Sequence, residues 1–246
     1  MLFFCFSSKD RDSIVESILY HVSNYAIPVW YDRQQMLLGD QRNYKNFIEG
    51  VDHSRYAIII LSHNAISSVC AREEIELIEK KYEKGEIIVF PIFYKLKANE
   101  IPSEFAWMSQ LVYKELDETI DSLSACNHII CRILLDEVTK YKINSLDSFL
   151  AQYQNIPAYA YLVQLIKSYN TINGDNKNAR IALLFAGCEY IRCHYNLNGI
   201  PRYYHEGIDF LFSQTKLHLS IDLREILIFE RLFLLLLNSS IFGYFV

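Results

Sequence analysis

With 246 residues, 51% of them hydrophobic and 22% charged, the chain has room for one large domain or two small ones, each able to bury a sizeable core. A net charge of -5 works against a broad phosphate-binding surface, because non-specific nucleic-acid affinity comes from clustered Lys and Arg that release counterions. Nucleic acid is therefore not expected as a direct partner.

The first half alternates short apolar runs with amphipathic ones. "LFFCF" reads as a strand, "DSIVESILYHVSNY" as a helix with Ile14, Ile18, Leu19 and Val22 at helical spacing, and "IPVWY" as a second strand. "NYKNFIEGVDHS" follows as a helix, "YAIIILS" as a strand, "AREEIELIEKKYEKG" as a helix ending at Gly85, "EIIVFPIFY" as a strand and "SQLVYKEL" as a weaker one. Strands that are apolar throughout are buried on both faces, which marks a parallel sheet covered by helices. The βαβα order predicts a flavodoxin-like, doubly wound α/β domain over residues 1–116.

Beyond residue 116 the texture changes to long apolar-periodic segments, among them "TIDSLSACNHIICRILLDEVTKY", "IPAYAYLVQLIKSYN", "NARIALLFAGCEYIRCHYN" and "REILIFERLFLLLL". Asn/Gly punctuation separates them. Residues 117–246 are expected to form an all-helical C-terminal domain, with its tyrosines as core and interface aromatics. The run from Leu232 to Val246 is 15 residues, interrupted by Asn238, Ser239 and Ser240, and falls short of the roughly 20 needed to cross a bilayer. It reads as a buried helix followed by an exposed or oligomeric contact, so no membrane association is expected.

Six cysteines, at 5, 70, 126, 131, 188 and 193, include no CxxC. Cys126/Cys131 and Cys188/Cys193 are offset by five, which on a helix puts the side chains about 140° apart, a poor fit to one metal ion. No metal site is expected, and the cysteines read as reduced cytoplasmic thiols. "MLFFCFSSKD" lacks a basic region and has only five apolar residues after Met1, so a buried strand is expected there and not a signal peptide.

In an open parallel sheet the ligand crevice lies beyond the carboxyl ends of the strands, where strand order reverses. For a 2-1-3-4-5 order that point falls between the first and third strands. It gathers the loops "SSKDRD" and "SHNAISS", with "DRQQMLLGD" beside them. The helix opening "CAREEIELI" starts at that rim, and topology alone leaves Glu74 or Glu73 as the acid facing the crevice, while Glu76 and Lys80 form an exposed i,i+4 pair.

These same segments resemble the Toll/interleukin-1 receptor (TIR) domain in its bacterial form, over about residues 1–115. "LFFCFSSKDRD" resembles the family's first strand and loop, commonly VFISYSSKD, with Cys5 where Ser is usual. "VWYDRQQMLLGDQRNYKNFIEGVDHSRYAIIILS" resembles the second strand, the long BB loop with its Gly-Asp, the second helix and the third strand. "SHNAISSVCAREEI" is similar to S-x5-S-x-W-C-x-x-E-[LI], which puts Ser62 and Ser68 at its serines and Glu74 at its acid.

The resemblance implies that Glu74 is the catalytic residue of an NAD+ hydrolase that cleaves the nicotinamide–ribose bond, with NAD+ as substrate and no cofactor. It implies that Phe6, Ser7, Ser8, Ser68 and Cys70 line the site, and that Asp32, Arg33 and Gly39 of the BB loop gate it or contact an adjoining subunit. It also implies self-association through the BB loop and a part in anti-phage defence, with the helical domain as sensor or oligomerisation module and a defence-system partner or phage product as trigger. Two departures stand out. Cys70 replaces the usual Trp and removes a stacking surface for nicotinamide, and Glu73 adds a carboxylate that raises the Glu74 pKa if both point inward. The alternative function is a non-catalytic TIR interaction module. A flavin- or nucleotide-sugar-binding protein fits less well, because the first loop has no Gly-rich phosphate cradle.

Overall fold

The computed structural model describes residues 1–120, 122–141, 144–195, 197, 200, 202–217 and 223–242. They form two compact units, Met1–Ile129 and Ile130–Val246.

In the first unit five strands form an all-parallel sheet: β1 (Leu2–Cys5), β2 (Val29–Trp30), β3 (Tyr56–Leu61), β4 (Ile88–Tyr94) and β5 (Lys114–Leu116). Their spatial order is β2-β1-β3-β4-β5, the flavodoxin-like order that the alternation of elements predicts. Every residue of β1 and of β3 is buried, as expected of strands covered on both faces. The register pairs Phe3 with both Trp30 and Ala57, and Cys5 with Ile59, so the carboxyl ends of β1 and β3 finish side by side.

The connections are less regular than the apolar pattern suggests. The segment after β1 winds as a 3-10 turn (Ser8–Asp10), a π-turn (Arg11–Val15) and helix α1 (Glu16–Ser23). The second strand shrinks to two residues at the sheet edge and runs into the single turn α2 (Asp32–Gln35). The helix expected at "NYKNFIEGVDHS" is a π-helix, Tyr44–Asp52. Gly50 seats it on the sheet: a Cβ there would lie 2.6 Å from Phe3 Cε2 and 3.1 Å from Trp30 Cδ2, two rings that stack on each other. After β3 come a short turn α3 (His63–Ile66) and the long helix α4 (Val69–Glu83), closed by Gly85 at φ +71°.

The helical expectation for the second half holds over the described residues. Helix α5 (Leu123–Thr139) is followed by α6 (Leu146–Tyr153), α7 (Ala160–Thr171), α8 (Lys177–His194), α9 (Arg202–Leu217) and α10 (Leu223–Phe242). Helices α6 and α9 fall within the all-helical stretch expected beyond residue 116, on segments richer in polar and aromatic residues than the four quoted above. Within the second unit Gly187 lets α8 approach α10, since a Cβ there would meet the Phe233 ring at 2.6 Å. Arg180, Tyr169 and Glu230 join α7, α8 and α10, Tyr169 Oη donating to Glu230 at 2.6 Å and Arg180 Nη2 to Tyr169 Oη at 2.7 Å. Tyr153, Tyr169 and Tyr204 are buried, and so are Leu232 to Asn238 of α10. The end of the C-terminal run, residues 243–246, lies outside the described residues. Among those described, no helix is long and apolar enough to cross a membrane.

Candidate active site

The rim of the sheet is built by caps. Ser62, at the end of β3, accepts from Ala65 N at 3.0 Å and so starts α3, and Ser68 accepts from Ala71 N at 3.3 Å and so starts α4. The two serines therefore fix where α4 begins and which of its residues turn inward. Ser62 Oγ also donates to Asp10 Oδ2 at 2.5 Å, and Asn64 Nδ2 donates to Asp10 Oδ1 at 2.6 Å. Asp10, itself buried, thereby fastens the loop after β1 to the loop after β3.

The buried residues of α4 are Ala71, Glu74, Ile75 and Ile78, the i, i+3, i+4, i+7 stripe of a helix packed on a sheet. Glu74 is the polar member of that stripe and is 7% exposed. Three elements meet at its carboxyl. Asn46, on the π-helix, donates from Nδ2 to Glu74 Oε1 at 2.6 Å. Cys5, the last residue of β1, lies beside the carboxyl and donates from its thiol to the Ala71 carbonyl at 3.7 Å.

Burial pushes the Glu74 carboxyl up to about 8; the nearby charge of Asp32 adds to the rise, while the Cys5 thiol, the Arg42 charge and the Asn46 amide oppose it. The Cys5 thiol is raised well above its ordinary value by burial and then by Glu74, so it stays protonated and serves as a donor. A buried acid with a strongly perturbed pKa at the switch point of an open sheet is a functional-site candidate on physical grounds.

Glu73 does not point inward. It pairs with Arg42 at 2.8 Å, and Arg42 also reaches Cys70 Sγ and Asn43. The expectation that Glu73 would raise the Glu74 pKa thus gives way to burial as the main cause, with Asp32 adding to the rise. Glu76 and Lys80 form the expected exposed pair at 2.7 Å.

The other expected site residues are spread along the rim. Phe6 is half-buried and stacks on Tyr31 at 5.9 Å, with the Arg11 guanidinium 4.8 Å from its ring centroid. Asp32 takes both arms of Arg11, at 2.7 and 2.5 Å, while Tyr31 donates to Glu16 at 2.5 Å. Ser7 is buried and caps the first 3-10 turn, Ser8 is exposed, and exposed Arg33 lies 3.4 Å from Glu16. Arg42 is a positive charge that acts on Glu74 and favours its ionised form. Gly39 sits at φ +100° in the BB loop, beside exposed Leu37 and Leu38, and Asp40 ties that turn by accepting from Leu37 N at 2.8 Å. Sequence reasoning missed Asn46, Asp10, Arg11 and Arg42. Of these, Asp10 alone had a readable signal, as an acid in a loop already assigned to the rim. Cys5 and Cys188 are buried thiols, and Cys70 and Cys193 are exposed.

The TIR domain family profile matches residues 2–129. An NAD(+) hydrolase, TcpC, of Escherichia coli O6:H1 is 27% identical over 100 residues, which cover 40% of this chain and 32% of that protein. An NAD(+) hydrolase, TcpA, of a Theionarchaea archaeon is 24% identical over 121 residues, covering 49% and 36%. A 2' cyclic ADP-D-ribose synthase of Bacteroides thetaiotaomicron is 25% identical over 99 residues, covering 40% and 34%. The chain spans about a third of the length of these curated relatives. Among solved structures, the TIR domain of a Toll-related receptor from Hydra magnipapillata aligns at 13% identity and a TM-score of 0.39, over 46% of this chain and 82% of that one.

Proposed function

The chain belongs to the TIR domain family, and on that premise we propose that it hydrolyses NAD+ at the nicotinamide–ribose bond, with Glu74 as the catalytic residue. The observation that carries the reading is the buried residue Glu74, 7% exposed, whose carboxyl accepts from Asn46 beside Cys5 at the carboxyl edge of β1 and β3. Relatives named as NAD(+) hydrolases and as a cyclic ADP-ribose synthase support it.

The chemistry suits a single acid. The bond from the ribose C1′ to the pyridinium nitrogen breaks with both electrons leaving on nicotinamide, which departs neutral and needs no protonation. The oxocarbenium-like ribosyl centre left behind is stabilised by the ionised Glu74 carboxylate, which also hydrogen-bonds ribose hydroxyls. Water then adds at C1′ and releases a proton, giving ADP-ribose; attack by a hydroxyl of the same molecule gives a cyclic product. A carboxyl that holds its proton up to about pH 8 is discharged in the free chain, and the arriving pyridinium cation favours its ionised form. The proton given up on ionisation passes to solvent as substrate binds.

The BB loop, with Leu37 and Leu38 exposed, is the proposed surface for self-association, and Phe6, Ser7, Ser8, Asp32, Arg33, Gly39, Ser68 and Cys70 are the proposed neighbours of bound NAD+. The wider role we propose is bacterial anti-phage defence in the cytoplasm, by NAD+ depletion or signalling, with the helical unit as sensor or oligomerisation module. A defence-system partner or phage product would act as trigger. A non-catalytic docking module is the second reading, and it draws on the same exposed leucines. Nicotinamide release from NAD+ at high protein concentration, with and without an assembly trigger, separates the two. The hydrolase reading expects release by the wild type and none by Glu74→Gln; equal release by both overturns the site.

A further inference from the structure

Asn46 is buried and half satisfied. Its Nδ2 is on Glu74 Oε1 at 2.6 Å and the residue is 7% exposed, yet its Oδ1 has no hydrogen-bond partner. A buried carbonyl oxygen left unpaired costs stability that an apolar side chain of the same shape would not. The π-helix that carries Asn46 already packs through Gly50 and Val51, so the amide is not needed to seat it. An unpaired acceptor kept at such a cost points to a donor that arrives with a ligand.

The two ends of a primary amide are about 2.3 Å apart. With Nδ2 on the carboxyl, Oδ1 therefore lies within about 5 Å of Glu74 Oε1. One small ligand group can touch both. The ligand must bring a hydrogen-bond donor to Oδ1 while its reacting carbon sits over the carboxylate. A sugar hydroxyl next to the anomeric carbon meets that description; the phosphate oxygens offer no donor, and the nicotinamide carboxamide N–H lies five bonds from the reacting carbon against two for the 2′-hydroxyl oxygen.

We propose that Asn46 determines specificity for the ribose: its Nδ2 holds the Glu74 carboxyl in place, and its Oδ1 accepts a hydrogen bond from a hydroxyl of the nicotinamide ribose. The proposal rests on NAD+ being the substrate. It makes Asn46 a contact of substrate as well as a positioning residue for Glu74, and it predicts that the chain tells ribose from deoxyribose.

The test measures binding of NAD+ and of its 2′-deoxy and 3′-deoxy nicotinamide-ribose analogues to the full chain by calorimetry, in the wild type, Asn46→Ala and Asn46→Leu, with nicotinamide release followed separately. Losing one hydroxyl should weaken binding to the wild type at least about tenfold more than binding to either variant. Both variants remove the unpaired oxygen, and the leucine keeps the volume, so at least one folded comparison is available. Variants that keep the full wild-type preference for ribose overturn the proposal, as does a wild type that binds all three dinucleotides alike or binds none. A wild type that prefers ribose through Asn46 but releases no nicotinamide removes the hydrolase reading and leaves Asn46 as the ribose contact of an NAD+-binding protein.

Discussion

Replacing Glu74 by Gln should stabilise the chain, and by an amount that depends on pH. The Glu74 carboxyl titrates at about 8 in the folded protein against an ordinary value of 4.5. A raised acid pKa means that the folded state binds the proton more tightly than the unfolded one. The favourable contribution is therefore full below about pH 4.5 and is lost as pH rises from there to about 8. At about 1.36 kcal/mol per unit the whole span is worth about 5 kcal/mol as a ceiling, and about 3 kcal/mol has been lost by pH 7. Glutamine has nearly the same shape, carries no charge, and can still accept from Asn46, so it escapes this loss. Trp30 and Trp107 are the protein's two tryptophans, and both lie in the first unit, so their fluorescence in urea titrations follows that unit alone. The expected result is no difference between wild type and variant below about pH 4, a variant about 3 kcal/mol more stable at pH 7, and a plateau above pH 8. A difference that does not change with pH, or a variant less stable than wild type at pH 8, would refute the buried, protonated carboxyl.

The same geometry constrains three other substitutions. Cys5→Ser exchanges a weak donor for a stronger one beside Glu74, so the carboxyl should ionise more easily and the rise of kcat/KM with pH, centred near 8 in the wild type, should move to lower pH; an unmoved profile would remove Cys5 from the site. Ser68→Ala removes the cap of α4 and should cost up to about 1 kcal/mol in the tryptophan-monitored titration, whereas no loss would mean that packing alone sets the helix start. Gly50→Ala drives a Cβ to 2.6 Å from Phe3 and should cost about 1–3 kcal/mol while displacing the π-helix that carries Asn46. Stability and activity at the wild-type level in that variant would show that the helix can lift without consequence.

The sheet is legible in the sequence because β1 and β3 are apolar at every position and the elements alternate, which leaves little choice of architecture. Glu74 is legible for a reason that the caps make physical. Ser62 and Ser68 start two consecutive helices, and the count from Ser68 puts residue 74 on the stripe with Ala71, Ile75 and Ile78. Topology alone leaves Glu73 and Glu74 open, and it is the resemblance to the TIR pattern that singles out Glu74; the structure then shows Glu74 on the apolar stripe and Glu73 turned to Arg42. Asn46 is not legible. It sits in a polar segment wound as a π-helix, whose wider turn breaks the 3.6-residue spacing by which an inward-facing residue would be found. Arg42 and Arg11 escape for another reason: each acts through partners 20 to 31 residues away, Tyr31 and Asp32 for Arg11, Cys70 and Glu73 for Arg42. Spacing along the chain carries no record of such pairs.

The central claim is chemical, and mass spectrometry of the products formed when the chain is incubated with NAD+ tests it most directly. The account predicts nicotinamide in step with NAD+ loss, together with ADP-ribose or a cyclised form of it, from the wild type and neither product from Glu74→Gln. Nicotinamide released equally by both proteins, or NAD+ left intact by a wild type that has been shown to self-assemble, would contradict it.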